Sequence, residues 1–187
     1  MTVYSTRKIM KESLPLLTFC IALGIAGGQI LNQNEESLIR LPIFLVMIPV
    51  INGVGGNIGS ILGARLSSGL HLGSIELKRG GDELRKNVLS TVLLGIISYT
   101  SLTIFILIIS PLMGMEVDSD ILIEAGYIMI TTGLLLTAIV VIISVLVARF
   151  SFEYGFDPDN TVTPLVTTLC DFLGILILIA IIGAVGI

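Results

Sequence analysis

Five stretches of this sequence are each apolar for long enough to cross a lipid bilayer, and that leaves few folds open. They cover about residues 14–31, 41–66, 88–112, 121–148 and 161–187. A helix needs about 20 apolar residues to span the hydrocarbon core, so each run suffices, with tilt or a break in the longer ones. Composition agrees: 54% of the 187 residues are hydrophobic and 13% are charged, against about 25% charged in a soluble domain. The sequence predicts an all-α membrane protein, one transmembrane domain over residues 1–187 with five helices and little mass outside the bilayer.

The formal net charge of −4 says little about partners, because the charges lie almost entirely in loops. No basic patch is large enough for nucleic acid. Cys20 and Cys170 fall inside apolar segments and read as small buried hydrophobes, not as a disulfide framework. The first apolar run follows a short basic stretch, as a signal peptide would. It continues through Gly27, Gly28 and Ile30 without a small-residue cleavage site, so it reads as a retained helix.

Cationic residues set the expected orientation. Arg7, Lys8 and Lys11 precede the first span; Arg65, Lys78, Arg79, Arg85 and Lys86 lie at or between spans two and three; Arg149 follows span four. Alternating crossings put all of these on one side and leave Arg40 on the other. The excess marks the cytoplasm. The amino terminus is therefore expected inside, the carboxyl terminus outside, and the protein in the cell membrane. The outer loops would be Asn32–Arg40 and Met113–Asp120. The acids of the second, Glu116, Asp118 and Asp120, either concentrate cations at an outer mouth or form an ordinary solvated loop.

The second span is rich in residues that disturb or expose a helix. Pro49 removes a backbone donor in mid-span, which predicts a kink or break. Gly53, Gly56, Gly59 and Gly63 recur at helical spacing, and Asn52 and Asn57 place amides at membrane depth, where each needs a partner. Two readings compete. One is close helix packing, with Gly55, Gly59 and Gly63 as contact points. The other is a broken helix whose freed carbonyls and amides line an ion path.

The fifth span holds one charge, Asp171, well inside the apolar run. Such a carboxylate costs about 2.5–3.5 kcal/mol on insertion scales. Upstream, Asp157-Pro158-Asp159-Asn160 is turn-like; Asn160 or Thr161 is the expected cap, with Pro164 in the first turn. Thr163, Thr167, Asp171 and Gly174 share one helical face, with Thr168 at its edge. Oxygen ligands of this kind suit hard divalent cations. The only histidine, His71, belongs to a loop, so no base accompanies a nucleophile and neither an enzyme nor a resident cofactor is expected. Asp171 remains open to three roles: lining a cation path, relaying protons, or bonding to another helix through, for example, Asn57.

Residues 48–60 (IPVINGVGGNIGS) together with residues 157–174 (DPDNTVTPLVTTLCDFLG) resemble the transmembrane domain of MgtE-type magnesium transporters. The eukaryotic solute carrier family 41 is related and carries the unit in tandem. The resemblance implies a homodimer of five-helix subunits in the lipid bilayer, with the ion path on the two-fold axis. It implies Asp171 as the carboxylate binding the metal, with a backbone carbonyl one turn earlier at Thr167. Gly55, Gly56, Asn57 and Gly59 would line or shape the path, with Thr163, Thr168 and Gly174 nearby. Thr163 stands where the family often has asparagine. Bacterial members carry a long cytosolic magnesium-sensing region before this domain, and none is expected here. The expected function is divalent cation transport, Mg²⁺ first, with Mg²⁺ as the transported ion. The alternatives are a Na⁺- or H⁺-coupled exchanger and a non-transporting membrane subunit.

Overall fold

The computed structural model describes residues 6–40, 42–75, 81–112, 114 and 118–186, without the side chains of Ser37, Arg40 and Asp159. Expectations for Leu41, Lys78, Arg79, Met113, Glu116 and Ile187 fall outside these residues. All regular structure described is helical: α1 (Thr6–Gln33), α2 (Glu35–Arg40), α3 (Pro42–His71), α4 (Asp82–Leu112), α5 (Ser119–Glu153) and α6 (Pro158–Val185). Five are long and apolar enough to span a membrane; α2 is a single short turn-and-a-half in the Asn32–Arg40 connection. The helices outrun the apolar stretches because their polar ends continue as helix into the interface.

Local chemistry explains the ends. Proline opens both α3 (Pro42) and α6 (Pro158), where its missing donor would be unpaired anyway. Gly73, at φ +69°, closes α3; the amides of Ser74 and Ile75 turn back to the Gly69 carbonyl. The Ile75 side chain folds over Gly69, where a Cβ would collide with it. The early start of α6 corrects two expectations. Asn160 and Thr161 lie inside the first turn instead of capping it, and Pro164 lies in the second turn, where it denies the Asn160 carbonyl its helical donor.

No break occurs in α3. The helix runs without interruption through Pro49 and all the glycines, so, of the expected kink or break, the break is corrected. Its glycines are taken up by close packing and leave the helix wound.

Lipid tails are as apolar as leucine, so the bundle is held by packing and interhelical hydrogen bonds more than by the hydrophobic effect. Small residues meet large ones in register between α4 and α5. Gly95 receives Thr137, Gly133 receives the Tyr99 ring, and Gly126 receives Thr103 and Leu107. Tyr99 is fully buried, and its hydroxyl donates to the Ile51 carbonyl of α3 at 2.8 Å.

The contacts also order the spans. Going along α3, Asn52, Gly56, Gly59 and Gly63 meet Gly174, Thr167, Val166 and Val162 in turn, so α3 and α6 are antiparallel. Cys20 and Gly27 of α1 meet Pro164 and then Phe172 and Ile175, so α1 and α6 are parallel. Consecutive spans therefore alternate. Arg7, Lys8, Lys11, Arg65, Arg85, Lys86 and Arg149 all lie at the end where α1 and α6 begin. Arg40 closes α2 at the other end. At the cationic end the Glu12 carboxylate accepts hydrogen bonds from Asn160 Nδ2 (3.1 Å) and the Asp157 amide (3.3 Å), with Lys8 at 3.6 Å.

Candidate functional site

The site is built on α6, which packs against α1, α3 and α5. Its neighbours sort its faces. Thr163, Thr167 and Gly174 turn to α3; Pro164, Phe172 and Ile175 turn to α1; Val166 turns to α3 and α5 together. At 100° per residue, Asp171 projects between the α3 face and the α1 face. Since α1 packs chiefly on α6 and not on α3, that direction is open. Asp171 is accordingly exposed, although it sits in the middle of the longest uncharged stretch of the span. Among the described residues its carboxylate takes part in no hydrogen bond or ion pair.

The adjoining face of α3 is open too. Gly53 and Asn57 are exposed one turn apart, on the side of the α3–α6 pair turned away from α5. Asn57 makes no hydrogen bond among the described residues, so the bond to Asp171 considered from the sequence does not form within one chain. Gly55, Gly56 and Gly59 are buried instead. A Cβ at Gly55 would lie 2.7 Å from Leu136 and 3.1 Å from the Tyr99 hydroxyl. One at Gly59 would collide with Val166 and lie 2.9 Å from Val140, and one at Gly63 would lie 2.7 Å from Val162. Gly56 faces the Thr167 backbone, with 3.8 Å to its Cα. Gly56, Gly59 and Gly63 thus let α3 and α6 come close beneath the face that carries Asp171, whereas Gly55 makes room for Leu136 of α5 and Tyr99 of α4.

The threonine hydroxyls are engaged locally. Thr167 Oγ1 donates to the Thr163 and Pro164 carbonyls (3.0 and 3.1 Å), and Thr168 Oγ1 to the Pro164 carbonyl (2.9 Å). Such back-bonding satisfies each hydroxyl within its own helix. No group of three or more His, Cys, Asp or Glu side chains capable of holding a metal occurs among the described residues. One chain thus offers a single carboxylate and neighbouring carbonyls, an all-oxygen donor set of the kind that suits hydrated Mg²⁺, Ca²⁺ or Mn²⁺.

Sequence reasoning overlooked how Asn52 bears on this site. Its Nδ2 donates to the Asp171 backbone carbonyl at 3.1 Å, across the α3–α6 contact. Asn52 is 8% exposed, and its Oδ1 has no hydrogen-bond partner among the described residues. Leaving a buried amide oxygen unpaired costs about 1–3 kcal/mol. The signal available in the sequence was an asparagine at membrane depth, four residues before Gly56 on the glycine face.

Comparison with known proteins bears on what this arrangement serves. The MgtE family profile, described as a divalent cation transporter, matches residues 48–181. The chain belongs to the MgtE family. Solute carrier family 41 member 3 of Rattus norvegicus is 28% identical over 182 residues, which cover 89% of this chain and 38% of that relative. The chain therefore spans well under half the length of this relative. The matched region runs from just before Pro49 to near the end of α6, so it takes in both the glycine seam and Asp171. With five spanning helices, this member of a transporter family is a multi-pass membrane protein.

Proposed function

We infer that this chain carries a divalent cation, most readily Mg²⁺, across the cell membrane along a path completed by a second copy at a two-fold axis. The observation that carries the reading is Asp171, an exposed carboxylate at mid-span without a partner among the described residues. A charge held there needs water, a cation or another chain. A two-fold axis beside the open face of α3 and α6 supplies all three. It would bring two Asp171 carboxylates together and pair the exposed Gly53–Asn57 strips.

Mg²⁺ gives up its water reluctantly and is commonly bound with several waters retained. Two carboxylates facing one another hold such an ion through its water shell, with Thr167 carbonyls as further acceptors. Mutual repulsion of the empty pair favours a divalent ion over a monovalent one. The seven cations at the end where α1 and α6 begin support the reading that this end faces the cytoplasm. On this reading the protein is a transporter and not an enzyme, and Mg²⁺ is cargo.

The test is Mg²⁺ influx into liposomes with an entrapped indicator and no other gradient. Wild type should show influx, and Asp171→Asn should lose most of it while inserting and assembling normally. Full flux in a correctly assembled Asp171→Asn protein removes Asp171 from the path. Flux that appears only when a Na⁺ or pH gradient is imposed makes the protein a coupled exchanger, using the same carboxylate.

A further inference from the structure

We propose that Asn52 is a positioning residue for Asp171: its bond to the Asp171 carbonyl, admitted by Gly174, fixes the rotation and depth of α6 and so where the carboxylate stands. The inference rests on the transport reading of Asp171.

The bond is unusual in where it lands. Asn52 Nδ2 reaches the backbone of the very residue whose side chain faces the open notch, at 3.1 Å. A helical carbonyl already accepts one bond from the amide four residues on, and its second lone pair takes this one. The approach needs an absence on the other side. A Cβ at Gly174 would collide with Asn52 Oδ1 and stand 3.4 Å from Leu136. Gly174, one turn beyond Asp171, is the gap through which the amide enters.

Packing alone does not explain the amide. Leucine has nearly its shape and would leave no unpaired oxygen in the buried contact, whereas Asn52 Oδ1 is unpaired among the described residues. What the amide adds is direction. A carboxylate stands about 5 Å from its helix axis, so a rotation of α6 by about 20° carries it through roughly 2 Å. Around a two-fold axis the change in carboxylate separation doubles. Neighbouring contacts of the seam set apolar side-chain atoms against glycine backbone and carry no directional bond; the Asn52 bond does.

The experiment uses the full chain, with Cys20→Ala and Cys170→Ala as background, and measures labelling by a charged methanethiosulfonate after Asp171→Cys or Asn57→Cys. Adding Asn52→Leu should change the labelling rate of the thiol introduced at position 171 severalfold and leave that at position 57 unchanged. Equal changes at both positions mean general loosening, and no change at either means no positioning; each overturns the proposal. In chains that keep Asp171, Asn52→Leu should lower Mg²⁺ flux about 10-fold and shift the Mg²⁺:Mn²⁺ preference, with assembly intact. Gly174→Ala should reproduce this in the wild-type chain and add nothing to Asn52→Ala, since the removed side chain leaves room for the methyl. Full additivity overturns the proposal. If Asp171→Asn itself leaves flux intact, the transport reading fails, while the labelling arm still decides whether Asn52 positions residue 171.

Discussion

Tyr99 and Ile51 join α4 to α3 by a 2.8 Å hydrogen bond, one residue before the asparagine that joins α3 to α6. The two bonds run in series across the bundle, and the first holds the helix from which the second is made. Tyr99→Phe keeps the ring in its glycine slot and deletes only the hydroxyl. It should destabilise the protein by about 0.6–1.7 kcal/mol, read as a shift in the unfolding midpoint in mixed micelles. Because the Ile51 carbonyl retains its helical bond, insertion should be unaffected.

The glycine seam gives a contrast between two positions on one helix. At Gly59 a methyl meets Val166 and Val140; at Gly53 it meets nothing within 4 Å. Gly59→Ala should cost about 1–3 kcal/mol from overpacking and should lower the thermal midpoint. In a detergent that keeps the chain monomeric, Gly53→Ala should leave that midpoint unchanged or slightly raise it, since alanine is the better helix former. Thermal scans of the two variants in the same detergent decide this.

Thr167 separates hydroxyl from carbonyl chemistry. Its hydroxyl is spent on the Thr163 and Pro164 carbonyls, so only its own carbonyl is offered to an ion. Thr167→Val should therefore keep most Mg²⁺ flux, and Thr168→Val likewise. A loss as deep as that of Asp171→Asn would mean that the hydroxyl itself meets the ion.

Glu12 holds the cationic ends of α1 and α6 together through Asn160 and Asp157, with its side chain 9% exposed. Glu12→Gln keeps an acceptor and should preserve this junction. Glu12→Ala should raise amide hydrogen exchange at residues 157–161 and leave exchange in the α4–α5 contact unchanged.

The five spans were legible because bilayer thickness is written directly into the length of an apolar run. Asp171 was legible for the same reason, as a charge where length forbids one. The glycine spacing allowed either close helix packing or an ion path along α3, and gave no sign that α6 packs there in antiparallel register. That pairing depends on residues more than a hundred positions apart, and no local pattern encodes it. Pro49 signalled a lost donor, which allows either a kink or a break; that the helix stays continuous is decided by what packs around it. Asn52 was visible as an amide in need of a partner; that the partner is the carbonyl of Asp171 follows only once the two helices are laid together.

The seam between α3 and α6 has a consequence for how such a chain can vary over time. Gly59 and Gly63 admit Val166 and Val162, and Gly174 admits Asn52, each with no room to spare. A larger residue on one side is tolerable only with a smaller one opposite. Drift along this seam must proceed in matched pairs, so the sequences of these two helices carry a joint record of their spacing that neither holds alone.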